Sequence, residues 1–128
     1  TRRSSDLSDI HELVNIICDI VKKDFKHIDT VFGIKRGGYI PAVMISHQLG
    51  LEYIDEEEIH YNTLIVDDIC DSGHTLDEAP GWFHAVLHYK PETATFHPAI
   101  YAKAIGEEWI VYPWENEDSE AIQDYIKK

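Results

Sequence analysis

A short run, Asn62-Thr63-Leu64-Ile65-Val66-Asp67, ends in two adjacent carboxylates, Asp67 and Asp68. Its apolar residues do not alternate with polar ones, so it predicts a strand buried on both faces, the kind found inside a parallel sheet. Two acids directly after such a strand cost solvation unless something uses them. The chain then reads Ile69-Cys70-Asp71-Ser72-Gly73-His74-Thr75, a third carboxylate and a small-residue turn that leads into a helix beginning near Thr75.

The remaining segments repeat this alternation. Over residues 6–25, Ile10, Leu13, Val14, Ile17, Ile20 and Val21 recur at spacings of three and four, one stripe of an amphipathic helix with Ser5 or Ser8 available as N-cap. Residues 30–34 predict a short strand that stops at Lys35-Arg36-Gly37-Gly38, and Pro41 opens a helix that ends at a C-capping Gly50. Residues 51–54 and 62–67 predict a second and a third strand. Pro80-Gly81 predicts a kink, or two short helices, within residues 75–89. Further strands are expected at 93–102 and 108–112, and a short terminal helix at 119–128. Strands alternating with helices imply an α/β fold, a single Rossmann-like domain over residues 1–128 whose mainly parallel sheet is flanked by helices on both faces.

Charge narrows the partners. Eleven Lys+Arg against 24 Asp+Glu give a net charge of -13, which argues against gripping a nucleic-acid backbone or an anionic membrane by charge alone. Residues 1–50 carry seven basic and six acidic side chains, residues 51–128 four and eighteen, so a small anion meets Lys35 and Arg36 more readily than anything later. Glu56, Glu57, Glu58, Glu117, Asp118 and Glu120 read as a solvated acidic surface. Cys18 and Cys70 are far apart, which indicates neither a disulfide framework nor a zinc knuckle. No run of about 18 apolar residues and no signal-peptide pattern is present, so the expected compartment is the cytosol. Thr1 stands where a Met would begin a chain, and a few native residues are expected before it.

In parallel sheets of this kind ligands bind beyond the carboxyl ends of the strands, which directs attention to the residues after Ile34 and Val66. The turn over residues 72–75 offers consecutive backbone N–H groups and two hydroxyls at a helix N-terminus, a phosphate site available even to an acidic protein. The neighbouring carboxylates would repel that phosphate and are better used on sugar hydroxyls or Mg2+. A phosphate at one end and a diol at the other describe a ribose 5-phosphate. Taken singly, these residues would equally serve as a strand end and a helix cap.

Val66-Asp67-Asp68-Ile69-Cys70-Asp71-Ser72-Gly73-His74-Thr75 resembles the phosphoribosyl pyrophosphate signature of the type I phosphoribosyltransferases. The resemblance implies that Asp67 and Asp68 contact the ribose diol and its metal, Mg2+. It implies that Asp71 lies near the base as the catalytic carboxylate, and that Ser72, Gly73, His74 and Thr75 bind the 5-phosphate. His74 departs from the pattern, which more often has glycine or a basic residue there. Gly33-Ile34-Lys35-Arg36-Gly37-Gly38 is similar to the family's pyrophosphate loop, so Lys35, Arg36 and Gly37 are the expected pyrophosphate contacts.

Tyr101-Ala102-Lys103, followed by Glu107-Glu108-Trp109-Ile110-Val111-Tyr112-Pro113-Trp114-Glu115, resembles the C-terminal signature of the hypoxanthine, guanine and xanthine branch. By that resemblance Lys103 donates to the purine O6, Trp109 stacks on the ring and the Ile110 backbone meets the base edge. A lysine also selects a 6-oxo over a 6-amino purine on chemical grounds, because an ammonium donates but cannot accept. The partners implied are phosphoribosyl pyrophosphate and a 6-oxopurine, with a homodimer or larger homo-oligomer, and the reaction implied is transfer of the 5-phosphoribosyl group. The family's catalytic loop is shortened here to residues 55–62, with His60 and Tyr61 as a remnant, which leaves a lidless binding or regulatory module as the alternative.

Other signals are weaker. His84 and His88, four apart, would share one helix face, a metal-pair spacing without a third ligand, so a solvated face is expected. Cys70 reads as a small filler residue. Leu64-Ile65-Val66-Asp67-Asp68 also resembles the first strand of receiver domains, but too few residues follow it. Neither a Walker A pattern nor G-x-G-x-x-G occurs.

Overall fold

The computed structural model describes residues 2–72, 81 and 83–115. Its elements are β1 (Arg2–Ser4), α1 (Leu7–Asp24), β2 (Thr30–Gly33), α2 (Tyr39–Leu49), β3 (Glu52–Tyr53), a 3-10 turn (Glu56–Glu58), β4 (Thr63–Cys70), β5 (Phe83–Tyr89), β6 (Ile100–Ala104) and β7 (Trp109–Val111). Five strands form a sheet in the order β3-β2-β4-β5-β6, every pair parallel, and β1 with β7 forms a separate parallel pair.

Helix α1 follows its sequence pattern. Ile10, Leu13, Val14, Ile17, Cys18 and Val21 are buried, while Asp9 in the first turn and Lys22 and Lys23 in the last complement the helix dipole. The cap is Asp6 rather than Ser5 or Ser8. Asp6 Oδ1 accepts from the Asp9 amide at 2.9 Å and Asp9 Oδ2 accepts from the Asp6 amide at 3.1 Å, a reciprocal box that a hydroxyl at either serine would not complete. Helix α2 ends at Gly50, whose φ of 68° is the left-handed conformation expected of a C-cap glycine.

Both helices pack on one face of the sheet, α2 over β2 and β4, α1 over β5 and β6. Val31, Leu64, Val66, Ala85, Leu87 and Ile100 share their core with Ile10, Val14, Ile17 and Ile45. A second, smaller core forms where Val86 packs with Cys70, Tyr89 and Ala94, and Phe96 lies against it.

Three expectations from the sequence are corrected. Residues 83–89 form a central strand, not the end of a kinked helix. Ala85, Val86 and Leu87 are fully buried, and a strand covered on both faces has no period to distinguish it from a buried helix. His84 and His88 are therefore strand residues, 5% and 3% exposed, and not a solvated helix face. Residues 93–99 are turn and loop, and β6 begins only at Ile100, after Pro98, which has no N–H for a ladder. Residues 108–112 do supply a strand, but β7 pairs with β1, an N-terminal strand that sequence reading did not anticipate, and does not join the main sheet. The helices expected over 75–80 and 119–128 lie outside the described residues.

Candidate active site

The strand order reverses between β2 and β4, since the chain leaves β2 toward β3 on one side and leaves β4 toward β5 on the other. Such a switch point opens a crevice at the carboxyl ends of the two strands. The glycine turn and the acid pair both fall there.

The turn leaves β2 with the Ile34 amide donating to the Val66 carbonyl at 2.8 Å and closes with the Gly38 amide donating to the Ile34 carbonyl at 2.8 Å. The Lys35–Arg36 peptide is cis. Lys35 and Arg36 are exposed, Gly37 is half-buried and Gly38 is buried. A Cβ on Gly37 would fall within the Asp68 carboxylate, and one on Gly38 would collide with the Val66 carbonyl oxygen. Glycine is required at both positions because turn and strand are in contact.

Strand β4 continues to Cys70, so the acids lie within it rather than beyond it. Asp67 is 8% exposed, and its Oδ1 accepts from the Asp68 amide at 2.8 Å. Burial raises the Asp68 carboxyl above the usual carboxylate range, and the Glu115 carboxylate pushes the same way, against stabilising hydrogen bonds from this acid pair and the Ile69 amide. Burial also lifts the Cys70 thiol to about 11, with Asp67 and Asp71 adding, so it stays protonated; its Sγ donates to the Phe96 carbonyl at 3.4 Å. Cys70 is the filler that its sequence context indicates.

Asp71 and Ser72 are held by the segment that follows β5. Thr93 Oγ1 donates to the Asp71 carbonyl at 2.9 Å and to its Oδ1 at 3.0 Å, and the Thr95 amide donates to the Ser72 carbonyl at 2.9 Å. Lys90 Nζ stands 3.8 Å from Asp71 Oδ2. Gly73, His74 and Thr75 lie outside the described residues.

Ile69, His88 and Lys103 form one row across β4, β5 and β6, which puts Lys103 two strand spacings, about 10 Å, from the acid strand. Its side chain is exposed. Trp109 on β7 is 49% exposed, whereas the Ile110 side chain is 3% exposed and packs in the main core. Three residues near these groups were not singled out from sequence. Lys90 directly follows β5, Glu115 bears electrostatically on Asp68, and Tyr112 donates from its hydroxyl to the Asp68 carbonyl at 3.2 Å. Only the Tyr112-Pro113-Trp114-Glu115 string hinted at the last two. Among the described residues no cluster of three or more His, Cys, Asp or Glu side chains could hold a metal, and no helix is long and apolar enough to cross a membrane.

No family model matches the sequence. The chain is 27% identical over 113 residues to a xanthine-guanine phosphoribosyltransferase of Cereibacter sphaeroides, an alignment covering 66% of this chain and 68% of that one. It is 26% identical to the xanthine-guanine phosphoribosyltransferase of Chromohalobacter salexigens, over 83% of this chain and 79% of the other. The crystal structure of a purine phosphoribosyltransferase from Pyrococcus horikoshii superposes with a TM-score of 0.72 at 26% identity, covering 90% of this chain and 95% of that one. The chain is accordingly similar in sequence to purine phosphoribosyltransferases, and its five-stranded parallel sheet matches the type I phosphoribosyltransferase fold.

Proposed function

We propose that the protein transfers the 5-phosphoribosyl group from phosphoribosyl pyrophosphate to a 6-oxopurine, guanine, xanthine or hypoxanthine, giving a purine nucleotide and pyrophosphate. The contact between the Gly37 turn and the Asp68 carboxylate carries this reading. It sets a site for the leaving pyrophosphate directly against a site for the ribose diol, and the bond to be broken joins those two parts of the donor.

Asp67 and Asp68 offer carboxylate oxygens with no third protein ligand among the described residues, a donor set that suits Mg2+ retaining its waters and substrate oxygens. When bound, Mg2+ neutralises charge on the pyrophosphate. Lys35, Arg36 and the backbone of the glycine turn hold that pyrophosphate, and Ser72, Gly73, His74 and Thr75 receive the 5-phosphate. The C1–O bond breaks with its electron pair on pyrophosphate, the purine N9 lone pair forms the new bond to C1, and the N7 proton passes to Asp71. Asp71 also favours the positive charge that develops on base and sugar.

Two lysines are candidates for O6. N7 and O6 occupy the same edge of a purine, so the donor for O6 should stand beside the base that takes the N7 proton. Lys90, 3.8 Å from Asp71, meets that condition better than the exposed Lys103. Trp109, 49% exposed, stacks on the ring, and the Ile110 main chain meets the base edge. The reading extends to a homodimer or larger assembly, measured by light scattering.

The test is a chromatographic assay with phosphoribosyl pyrophosphate, Mg2+ and each of guanine, xanthine, hypoxanthine and adenine, with Asp71→Asn as control. The expected result is nucleotide from a 6-oxopurine, none from adenine and a loss of about a hundredfold or more in the variant. Binding of the donor without product from any base would replace the transferase with a binding module.

A further inference from the structure

The purine segment and the acid pair belong to different sheets, yet one side chain joins them. Tyr112 follows β7 and is 3% exposed. Its ring stacks on Trp114 with centroids 5.0 Å apart and planes within 3°, and its amide donates to Glu115 Oε1 at 3.1 Å. The ring is thereby tied to the segment that carries Trp109 and Ile110. Its hydroxyl points the other way and donates to the Asp68 carbonyl at 3.2 Å. A phenol has one proton to give, so with that proton on the Asp68 carbonyl it accepts from His88 Nδ1, 2.9 Å away, an arrangement that requires the His88 tautomer protonated at Nδ1.

We propose that Tyr112 is a positioning residue for the acid pair: its hydroxyl, locked by His88, holds the main chain at Asp68 so that the carboxylate would meet the donor's ribose in register with the segment proposed to hold the purine. The inference rests on the role assigned above to Asp68. Tyr112 touches no reacting atom; it acts by fixing the backbone from which the Asp68 carboxylate extends toward the Gly37 turn. A displacement of about 1 Å at such a group costs on the order of a hundredfold in rate.

The test combines hydrogen exchange of the free protein with steady-state kinetics for Tyr112→Phe, which keeps the ring and its stack on Trp114. Amides of residues 67–70 should exchange at least about tenfold faster, with the rest of the sheet within about twofold. The KM for phosphoribosyl pyrophosphate at fixed Mg2+ should rise at least about fivefold and that for the purine less than about twofold. His88→Asn, which keeps a donor at the Nδ1 position, should stay near wild type, while His88→Leu should behave as Tyr112→Phe does. Unchanged exchange at residues 67–70 in both Tyr112→Phe and His88→Leu overturns the proposal, as does a uniform rise in both KM values. A response in exchange with no nucleotide formed by the wild type would sink the proposed reaction and leave the positioning link standing. Should Tyr112→Phe fail to fold, the two His88 variants decide the matter.

Discussion

Gly37 and Asp68 occupy one another's space: the carboxylate fills the position where a Cβ on residue 37 would sit. Neither residue is thus free to vary alone. A turn proposed to bind an anion and a strand proposed to bind a diol or a cation are pressed together, although thirty residues separate Gly37 from Asp68 in sequence. Gly37→Ala should push the carboxylate aside at a stability cost of about 1–3 kcal/mol, the range for overpacking a close contact. Activity should fall by on the order of a hundredfold, because the displacement is near 1 Å at a group that meets the substrate. Thermal unfolding and kcat/KM measured together check this, and a variant with full activity would refute the contact.

Asp68 should give the protein an unusual pH response. Its carboxyl is raised by burial first and by Glu115 second. The folded state therefore holds the proton more tightly than the unfolded chain, and this group's contribution to stability falls as pH rises from the ordinary carboxylate pKa through the raised one. On the proposed role of Asp68, donor affinity runs the other way, since holding Mg2+ and the diol would need the ionised form, and it should be lost as pH falls through the same window. Asp68→Asn should flatten the stability profile there. Glu115→Gln should move the affinity midpoint to lower pH. Calorimetric titration with the Mg2+ donor complex over pH, beside melting curves, reads both effects.

The two lysines are separable by substrate. Lys90→Met should raise the KM for the 6-oxopurine by about tenfold or more, a loss expected for one charge-assisted hydrogen bond. Donor affinity should hardly change. The same change at Lys103, exposed and two strands away from the acids, should cost far less. Parallel kinetics on the two variants decide which ammonium meets O6, and a larger purine effect at Lys103 would return it to the position that its sequence context indicates.

How far the site is legible in sequence depends on how local each part is. The acid pair, the glycine turn and both flanking helices are consecutive residues whose chemistry declares itself in a short window. Strand β5 does not declare itself, because Ala85, Val86 and Leu87 are buried on both faces and His84 and His88, spaced four apart, mimic a helical stripe. Strand β1 is too short to carry a pattern at all. Lys90 and Tyr112 gain their meaning only from partners brought close by folding: Tyr112 meets Asp68 across 44 positions, and Lys90 meets Asp71 only once β4 and β5 lie side by side. Local patterns therefore point to the ligand classes, while the groups that hold the reacting residues in place come from the sheet.

Thr93 offers the sharpest separation of positioning from binding. Its hydroxyl donates to both the main-chain carbonyl and the carboxylate of Asp71, so it fixes the orientation of the group expected to take the N7 proton. The residue is exposed and sits in a turn, hence Thr93→Val should leave the fold within about 0.5 kcal/mol of wild type. Binding of donor and purine uses other groups and should persist. The loss should therefore appear in kcat, by about five- to fiftyfold, with both KM values nearly constant, the signature of an interaction that matters only as the proton moves. Thr93→Ser, which keeps the hydroxyl, should recover most of the rate. Equal losses in the two variants would mean that the methyl group, and not the hydrogen bond, is what the turn requires.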